Sequence, residues 1–210
     1  YGAHLVPVEG SRSDTAAAAL RAAESSYYAS HVWNPYFFEG TKTFAYEVWE
    51  QLGFRAPDTV VLPAGNGTLL LGSLKGFGEL ERAGLIKKIP VHMAVQAAAC
   101  APLSEGASLT SASQKPTIAE GIAIPHPPLL EEMKAGLRAA GGTVIPVEEE
   151  EIIGALREAV ESGLYIEPTA AAALAGLRKY TESADKEEKV VGAVTGHGLK
   201  ASGKIASILQ

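Results

Sequence analysis

Apolar and polar positions follow two rhythms along this chain. A continuous β-branched and aliphatic run occupies residues 59–62, and largely apolar runs lie at 89–96, 143–147 and 190–195. Between them, apolar side chains recur at three- and four-residue spacing. The first rhythm predicts short buried strands and the second amphipathic helices. Helices are expected over residues 15–25, 39–52, 69–80, 129–140, 148–162, 168–180 and 202–209, with one more short strand at 4–8. Within 39–52, Phe44, Ala45, Val48, Trp49 and Leu52 share a face, and Glu47, Glu50 and Gln51 turn away from it. Punctuation agrees with this reading. Gly53 and Gly141-Gly142 stop helices, Pro168 opens one, and residues 148–151, all glutamates, sit where acidic side chains favour a helix start. Residues 97–116 are small, polar and weakly periodic and read as a loop with room for a short helix, and Pro35 marks a break before a new unit. The charged stretch 182–189 reads as a solvated loop. Strands alternating with helices predict an α/β fold with a largely parallel sheet flanked by helices.

Composition narrows the function classes. The chain has 210 residues, 47% hydrophobic and 20% charged, with a formal net charge of −6. No Lys/Arg cluster is dense enough for a phosphate-backbone footprint, which argues against nucleic-acid partners. No apolar run approaches the roughly 18 residues that span a bilayer, so no membrane partner is expected. Cys100 is the one cysteine, zinc-type spacing is absent and no signal peptide is visible, so a cytoplasmic location is expected. The opening Tyr1-Gly2-Ala3-His4 carries no methionine and reads as a piece cut from a longer polypeptide.

The chemistry concentrates in turns. The strand at 59–62 ends at Pro63-Ala64, passes through Gly65-Asn66-Gly67-Thr68, and enters a helix at Leu69. Such a turn leaves several backbone N–H groups aimed at one point beside the positive end of a helix dipole, which suits a phosphate. Ordinary helix-start chemistry explains Asn66 and Thr68 equally well, so both readings stand at this point. A dinucleotide fingerprint fails, because the glycine after Gly67 is Gly72 and no acidic residue ends the 89–96 strand. A Walker motif, a serine-hydrolase elbow and metal motifs are missing. The five histidines are scattered, and His92 reads as a strand residue rather than a ligand. Two further turns, Glu167-Pro168-Thr169 and Thr195-Gly196-His197-Gly198, sit beside a helix start or a strand end. In a parallel sheet such loops gather at one edge, where ligands bind. Together they point to a phosphate-bearing small molecule.

These residues resemble a known family. Asn34-Pro35, Glu39-Gly40-Thr41-Lys42-Thr43, Leu62-Pro63-Ala64-Gly65-Asn66-Gly67-Thr68, Gln96-Ala97, Glu167-Pro168-Thr169-Ala170-Ala171-Ala172 and Thr195-Gly196-His197-Gly198-Leu199-Lys200 occur in the order seen in the threonine synthases. Those are fold-type II pyridoxal-phosphate (PLP) enzymes with a tryptophan-synthase-β-like fold. The resemblance implies that Gly65, Asn66, Gly67, Thr68 and Leu69 hold the cofactor phosphate and that Thr195 stands beside the pyridine nitrogen. A neutral partner there would not enforce a protonated ring. Residues 167–172 would line the cofactor pocket, and residues 117–124 the substrate side.

The resemblance also implies a lyase that converts O-phosphohomoserine and water to threonine and phosphate, acting on a phosphorylated amino acid as a homodimer. A threonine/serine dehydratase or a cysteate synthase is the alternative within the same chemistry. One departure matters. The family's Schiff-base lysine lies in a Ser-x-Lys-x-Arg-type segment that these residues do not contain, and its asparagine loop for the substrate carboxylate is missing too. Lys42 matches a non-catalytic position. Residues 1–34 would then be the end of a small domain and 35–210 most of the large PLP-binding domain. On its own the chain would be catalytically incomplete, or a non-catalytic phosphate-binding domain.

Overall fold

Four aliphatic segments lie side by side in the computed structural model, which describes residues 1–10, 12–106 and 116–209. They are β1 (Thr59–Pro63), β2 (Val91–Ala97), β3 (Val144–Val147) and β4 (Val190–Gly192). All pair in parallel in the order β3-β2-β1-β4. The helices in chain order are α1 (Arg12–Ala22), α2 (Pro35–Thr41), α3 (Thr43–Gln51), α4 (Thr68–Arg82), α5 (Leu130–Ala139), α6 (Glu149–Glu161), α7 (Pro168–Thr181) and α8 (Ser202–Leu209). The expected parallel α/β architecture is what the chain forms.

Alternation along β1 divides the core between the two faces of the sheet. Val61 joins Met93, Val95 and the buried side chains of α6, α7 and α8 on one face. Val60 and Leu62 join Leu70, Phe77, Met133 and Leu137 from α4 and α5 on the other. Both faces are covered, which is why β1 is apolar without interruption. The buried alanines of α7, from Ala170 to Ala173 and at Ala175, are small enough to bring that helix close against the strands.

Three expectations need correction. Residues 4–8 form no strand: Leu5 and Val6 are exposed, and among the described residues they pair with no sheet edge. An apolar run with nothing to pack against gains nothing from extending into a ladder. Residues 39–52 form not one helix but the end of α2 and all of α3, broken at Lys42. The first of these starts earlier because Asn34 Oδ1 accepts the Tyr36 N–H at 3.0 Å and Pro35 takes the first helical position. The last strand stops at Gly192. Ala193 N–H still reaches Val61 O at 3.3 Å, after which the chain turns toward α7. The 97–116 loop contains a short 3₁₀ turn at Ala98–Cys100, and its stretch from 107 to 115 lies outside the described residues.

Candidate functional site at the carboxyl edge of the sheet

The carboxyl end of β1 is braced before it turns. Ala64 N–H donates to Val95 O at 2.9 Å. Gln96, fully buried on β2, donates from Nε2 to Ala64 O at 2.9 Å and accepts the Leu103 N–H at 3.0 Å. The chain then passes Gly65 and Asn66 to Gly67, whose φ of 86° lies in the left-handed region that glycine tolerates. A Cβ on Gly67 would collide with Sδ of buried Met133. Gly67 is the N-cap of α4, and no side chain caps this end. Among the described residues the amides of residues 65–70 find no acceptor, the first helical bond being Leu71 N–H to Gly67 O at 2.8 Å. Helix capping therefore does not account for the turn. Its donors remain available at the positive end of the α4 dipole.

Four other segments close around these amides. The start of α7 is tied to the segment after β4, with Glu167 N–H donating to Gly196 O and Thr195 Oγ1 donating to Glu167 Oε1, each at 2.9 Å. An antiparallel bridge between Ile166 and His197 reinforces this link. The 3₁₀ turn Glu120–Ile122 packs so closely that a Cβ on Gly65 would lie 2.9 Å from Gly121 O. His31 comes in from the segment before α2. The result is a cleft of about 280 Å³ lined by Gly65, Asn66, Gly67, Thr68, Leu69 and Thr195, together with His31, Pro63, Gly121, Ile122, Glu167 and Thr169. All six residues singled out in the sequence thus meet in one place. His31 was missed, having only a lone exposed histidine as its signal. The contact between the Glu167 side chain and Thr195 was missed because the two are 28 positions apart.

Among the described residues the lining contains one carboxylate, Glu167, and neither lysine nor arginine. An anion bound here relies on backbone amides and the helix dipole. Lys42 stands outside the lining in an ionic lattice on α2 and α4. Its Nζ contacts Glu39 and lies 2.9 Å from Glu79, while Lys75 lies 2.8 Å from Glu79 and 3.1 Å from Glu39. Hydrogen bonds to Glu39 and then Glu79 raise the Lys42 pKa, and those from Lys75, Tyr46 and Lys42 lower Glu79 to about 2. A lysine held protonated between two carboxylates is a structural cation. His92 is fully buried, with Nε2 2.9 Å from Ser73 Oγ and Nδ1 2.8 Å from Pro90 O. Burial lowers its pKa to about 4, so it is a neutral strand residue, as its position suggested. Among the described residues, no three His, Cys, Asp or Glu side chains gather as a metal site, and no helix is long and apolar enough to cross a membrane. A larger groove of about 470 Å³ lies between α6, α7 and β4, where Leu164, Leu174 and Leu177 mix with the paired Glu158 and Arg178, and none of the three turns reaches it.

An open parallel sheet with a glycine turn, a helix start and a strand-end loop converging at its carboxyl edge is the class of α/β protein that binds a small ligand at that edge. The chain belongs to the pyridoxal-phosphate-dependent enzyme family, whose model, described as "Pyridoxal-phosphate dependent enzyme", matches residues 1–196. Threonine synthase of Methanocaldococcus jannaschii is 34% identical over 209 residues, covering 95% of this chain and 52% of that protein. Threonine synthase of Methanosarcina acetivorans is 33% identical over 210 residues with the same coverage. The chain thus spans about half the length of the curated relatives it matches. Among solved structures, maize serine racemase superposes with a TM-score of 0.73 at 19% identity, covering 99% of this chain and 63% of that one. The processed form of threonine deaminase isoform 2 from Solanum lycopersicum superposes with a TM-score of 0.71 at 21% identity, covering 93% and 53%. These two establish the fold alone.

Proposed function

We propose that this chain is the cofactor-holding part of a PLP-dependent lyase of the threonine synthase type, converting O-phosphohomoserine and water to threonine and phosphate. The observation that carries this reading is the identity to threonine synthases over 95% of the chain, a span long enough to include every lining residue from His31 to Thr195. The residues present fit the cofactor. Gly65 and Gly67 sit where any Cβ would meet Gly121 or Met133, which keeps the turn narrow and its amides open. The amides of Gly65, Asn66, Gly67, Thr68 and Leu69 take the phosphate, each bond to a charged oxygen contributing about 1.5–3 kcal/mol. The hydroxyl of Thr195 meets the pyridine nitrogen. Gly121 and Ile122 face the substrate. When bound, the cofactor supplies an electron sink for carbanion character at the substrate α-carbon.

Among the described residues no lysine lines the cleft, and this supports a linking residue contributed by another part of the full-length protein. Residues 1–34 belong with a small domain and 35–210 with the large one, and the full-length protein works as a cytoplasmic homodimer. The test is phosphate release from O-phosphohomoserine by the full-length protein, with threonine as co-product. Ammonia release from threonine or serine, without any phosphate from O-phosphohomoserine, would replace this reading with the dehydratase one. For the 210-residue chain alone, borohydride treatment in the presence of PLP is expected to give no adduct at a unique lysine. A stoichiometric adduct on one lysine would show that the chain is complete for cofactor attachment.

A further inference from the structure

Four consecutive glutamates open α6, and helix-start chemistry accounts for only part of them. The N–H of Glu148, the N-cap, donates to Glu151 Oε2 at 2.6 Å, which closes the first turn on itself. Glu151 Oε2 also lies 3.3 Å from Lys179 Nζ on α7, and Glu150 is exposed. Glu149, half-buried, reaches away from the helix. Its Oε1 accepts the Ile118 N–H at 2.7 Å, across 31 positions of sequence. Because α6 follows the carboxyl end of β3, this carboxylate stands at the same edge of the parallel sheet as the cleft.

Ile118 leads directly into the wall of that cleft. Ala119 and Ile122 are buried in the core, while Gly121 and Ile122 line the cleft. Gly121 fits so closely beside α7 that a Cβ there would fall 2.6 Å from Thr169 Oγ1. The other backbone N–H bonds of this stretch are local. Ala119 donates to Thr117 Oγ1, Ile122 to Ala119 O, Ala123 to Glu120 O and Ile124 to Ile122 O. Among the described residues, the bond from Ile118 to Glu149 is the one that ties this backbone to another element of the fold. A carboxylate acceptor makes it stronger than an ordinary amide bond. The contact of Lys204 with Glu120 is exposed on both sides and adds little. We propose that Glu149 is a positioning residue that holds Ile118, and through it the Glu120–Ile122 turn, at the substrate side of the cleft. This rests on the reading of Gly121 and Ile122 as facing the substrate.

Three substitutions in the PLP-loaded full-length protein separate this role from the helix start. Glu149→Gln keeps the reach and the acceptor oxygen without the charge. Glu149→Asp keeps the charge in the first turn of α6 but withdraws the acceptor by one methylene, and Glu149→Ala removes both. The readouts are KM for O-phosphohomoserine (or for threonine or serine, if ammonia release is the activity), PLP affinity, and amide hydrogen exchange across residues 117–124. The Asp and Ala variants are expected to raise KM about tenfold and to speed exchange in this stretch, with the Gln variant within about threefold of native. PLP affinity should stay within about threefold in all three, since the amides of residues 65–69 make no contact with Glu149. An Asp variant with native KM and native exchange overturns the proposal and leaves Glu149 a helix-start residue, with the cofactor reading intact. Faster exchange with an unchanged KM overturns it together with the placement of substrate beside Gly121 and Ile122. A PLP affinity that weakens in step with KM also overturns it, because that marks general loosening of the cleft.

Discussion

The two ends of β1 solve the same problem in opposite ways. At the amino end, polar groups are paired off within the protein. Thr59 is fully buried, and its hydroxyl donates to Glu188 Oε1 at 2.5 Å, the same oxygen that Tyr180 OH reaches at 2.7 Å. Asp58 N–H donates to Lys189 O, Lys189 N–H to Asp58 Oδ2 and Val91 N–H to Asp58 O, all at 2.9 Å. At the carboxyl end, five residues further on, a run of amides has no acceptor among the described residues and the chain passes through a left-handed glycine. One end contributes to stability and holds nothing in reserve. The other leaves donors unpaired at a turn where Gly65 and Asn66 remain half-exposed and open to the cleft.

If that contrast is right, unpaired groups are tolerated in the open cleft and nowhere nearby. Gln96→Leu tests this most severely. It leaves Ala64 C=O and Leu103 N–H without their partner in a buried setting, a few ångströms from amides that tolerate the same condition. The expected loss is about 4 kcal/mol in urea unfolding, two buried groups at about 1–3 kcal/mol each. A loss below about 1 kcal/mol would mean that water reaches this site too, and the contrast would weaken.

His92 sharpens the comparison from the closed side, since it pairs in register with Val60 near the amino half of the sheet. Its pKa is depressed from 6.5 to about 4 by burial, so the fold holds it neutral. Its contribution is fully present above pH 6.5. It is lost progressively as the unfolded chain takes up a proton below that pH, until the native state also protonates near pH 4. The loss over this window is about 3 kcal/mol. Unfolding free energies measured across it should show this slope, and His92→Gln should flatten it.

A smaller effect is expected at the closed end itself. Glu188→Ala leaves the Thr59 and Tyr180 hydroxyls without their shared acceptor, at a cost of about 2 kcal/mol in chemical denaturation. Cofactor affinity of the full-length protein should stay within about twofold, because that network lies at the far end of the strand from the cleft. A tenfold loss of affinity there would couple the two ends.

Glu188 also marks what the sequence does not disclose. Residues 182–189 read as a solvated loop, and most of them are exposed, but Glu188 closes the network under β1. A charge run gives no sign of which member turns inward, because its partner Thr59 is 129 positions away. The strands were legible, since burial on both faces demands largely apolar, β-branched runs, even where β2 admits His92 and Gln96. The glycine turn was legible as geometry, because close approach and positive φ both demand glycine. Pro35, which the sequence marks as a break, is the first residue of a helix capped by Asn34, two uses of proline that local sequence does not separate. The convergence of the three turns was legible only as a consequence of parallel topology. Neither His31 nor the Glu167 to Thr195 bond followed from it, because which loop leans over an edge depends on packing across the whole sheet.

The smallest expected effect is also the one aimed most narrowly at the open end. Gly65 does not adopt a left-handed conformation, so an alanine there meets no backbone strain, unlike one at Gly67. Its Cβ would instead lie 2.9 Å from Gly121 O, 3.2 Å from Ile124 Cδ1 and 3.3 Å from Ile122 Cα. The side chain of Ile124 can shift, but the backbone of the Glu120–Ile122 turn must move outward by a few tenths of an ångström. That turn forms the wall opposite the α4 amides, so the displacement changes the cleft more than the core. Gly65→Ala in the full-length protein should therefore weaken PLP about tenfold, equal to about 1.4 kcal/mol, in a titration of the apoprotein. The unfolding free energy should move by about 0.5 kcal/mol, in the range of substitutions that leave the core intact. The reverse pattern, unchanged affinity with a large loss of stability, would assign Gly65 to packing between the turn and β1 and leave the phosphate to some other part of the protein.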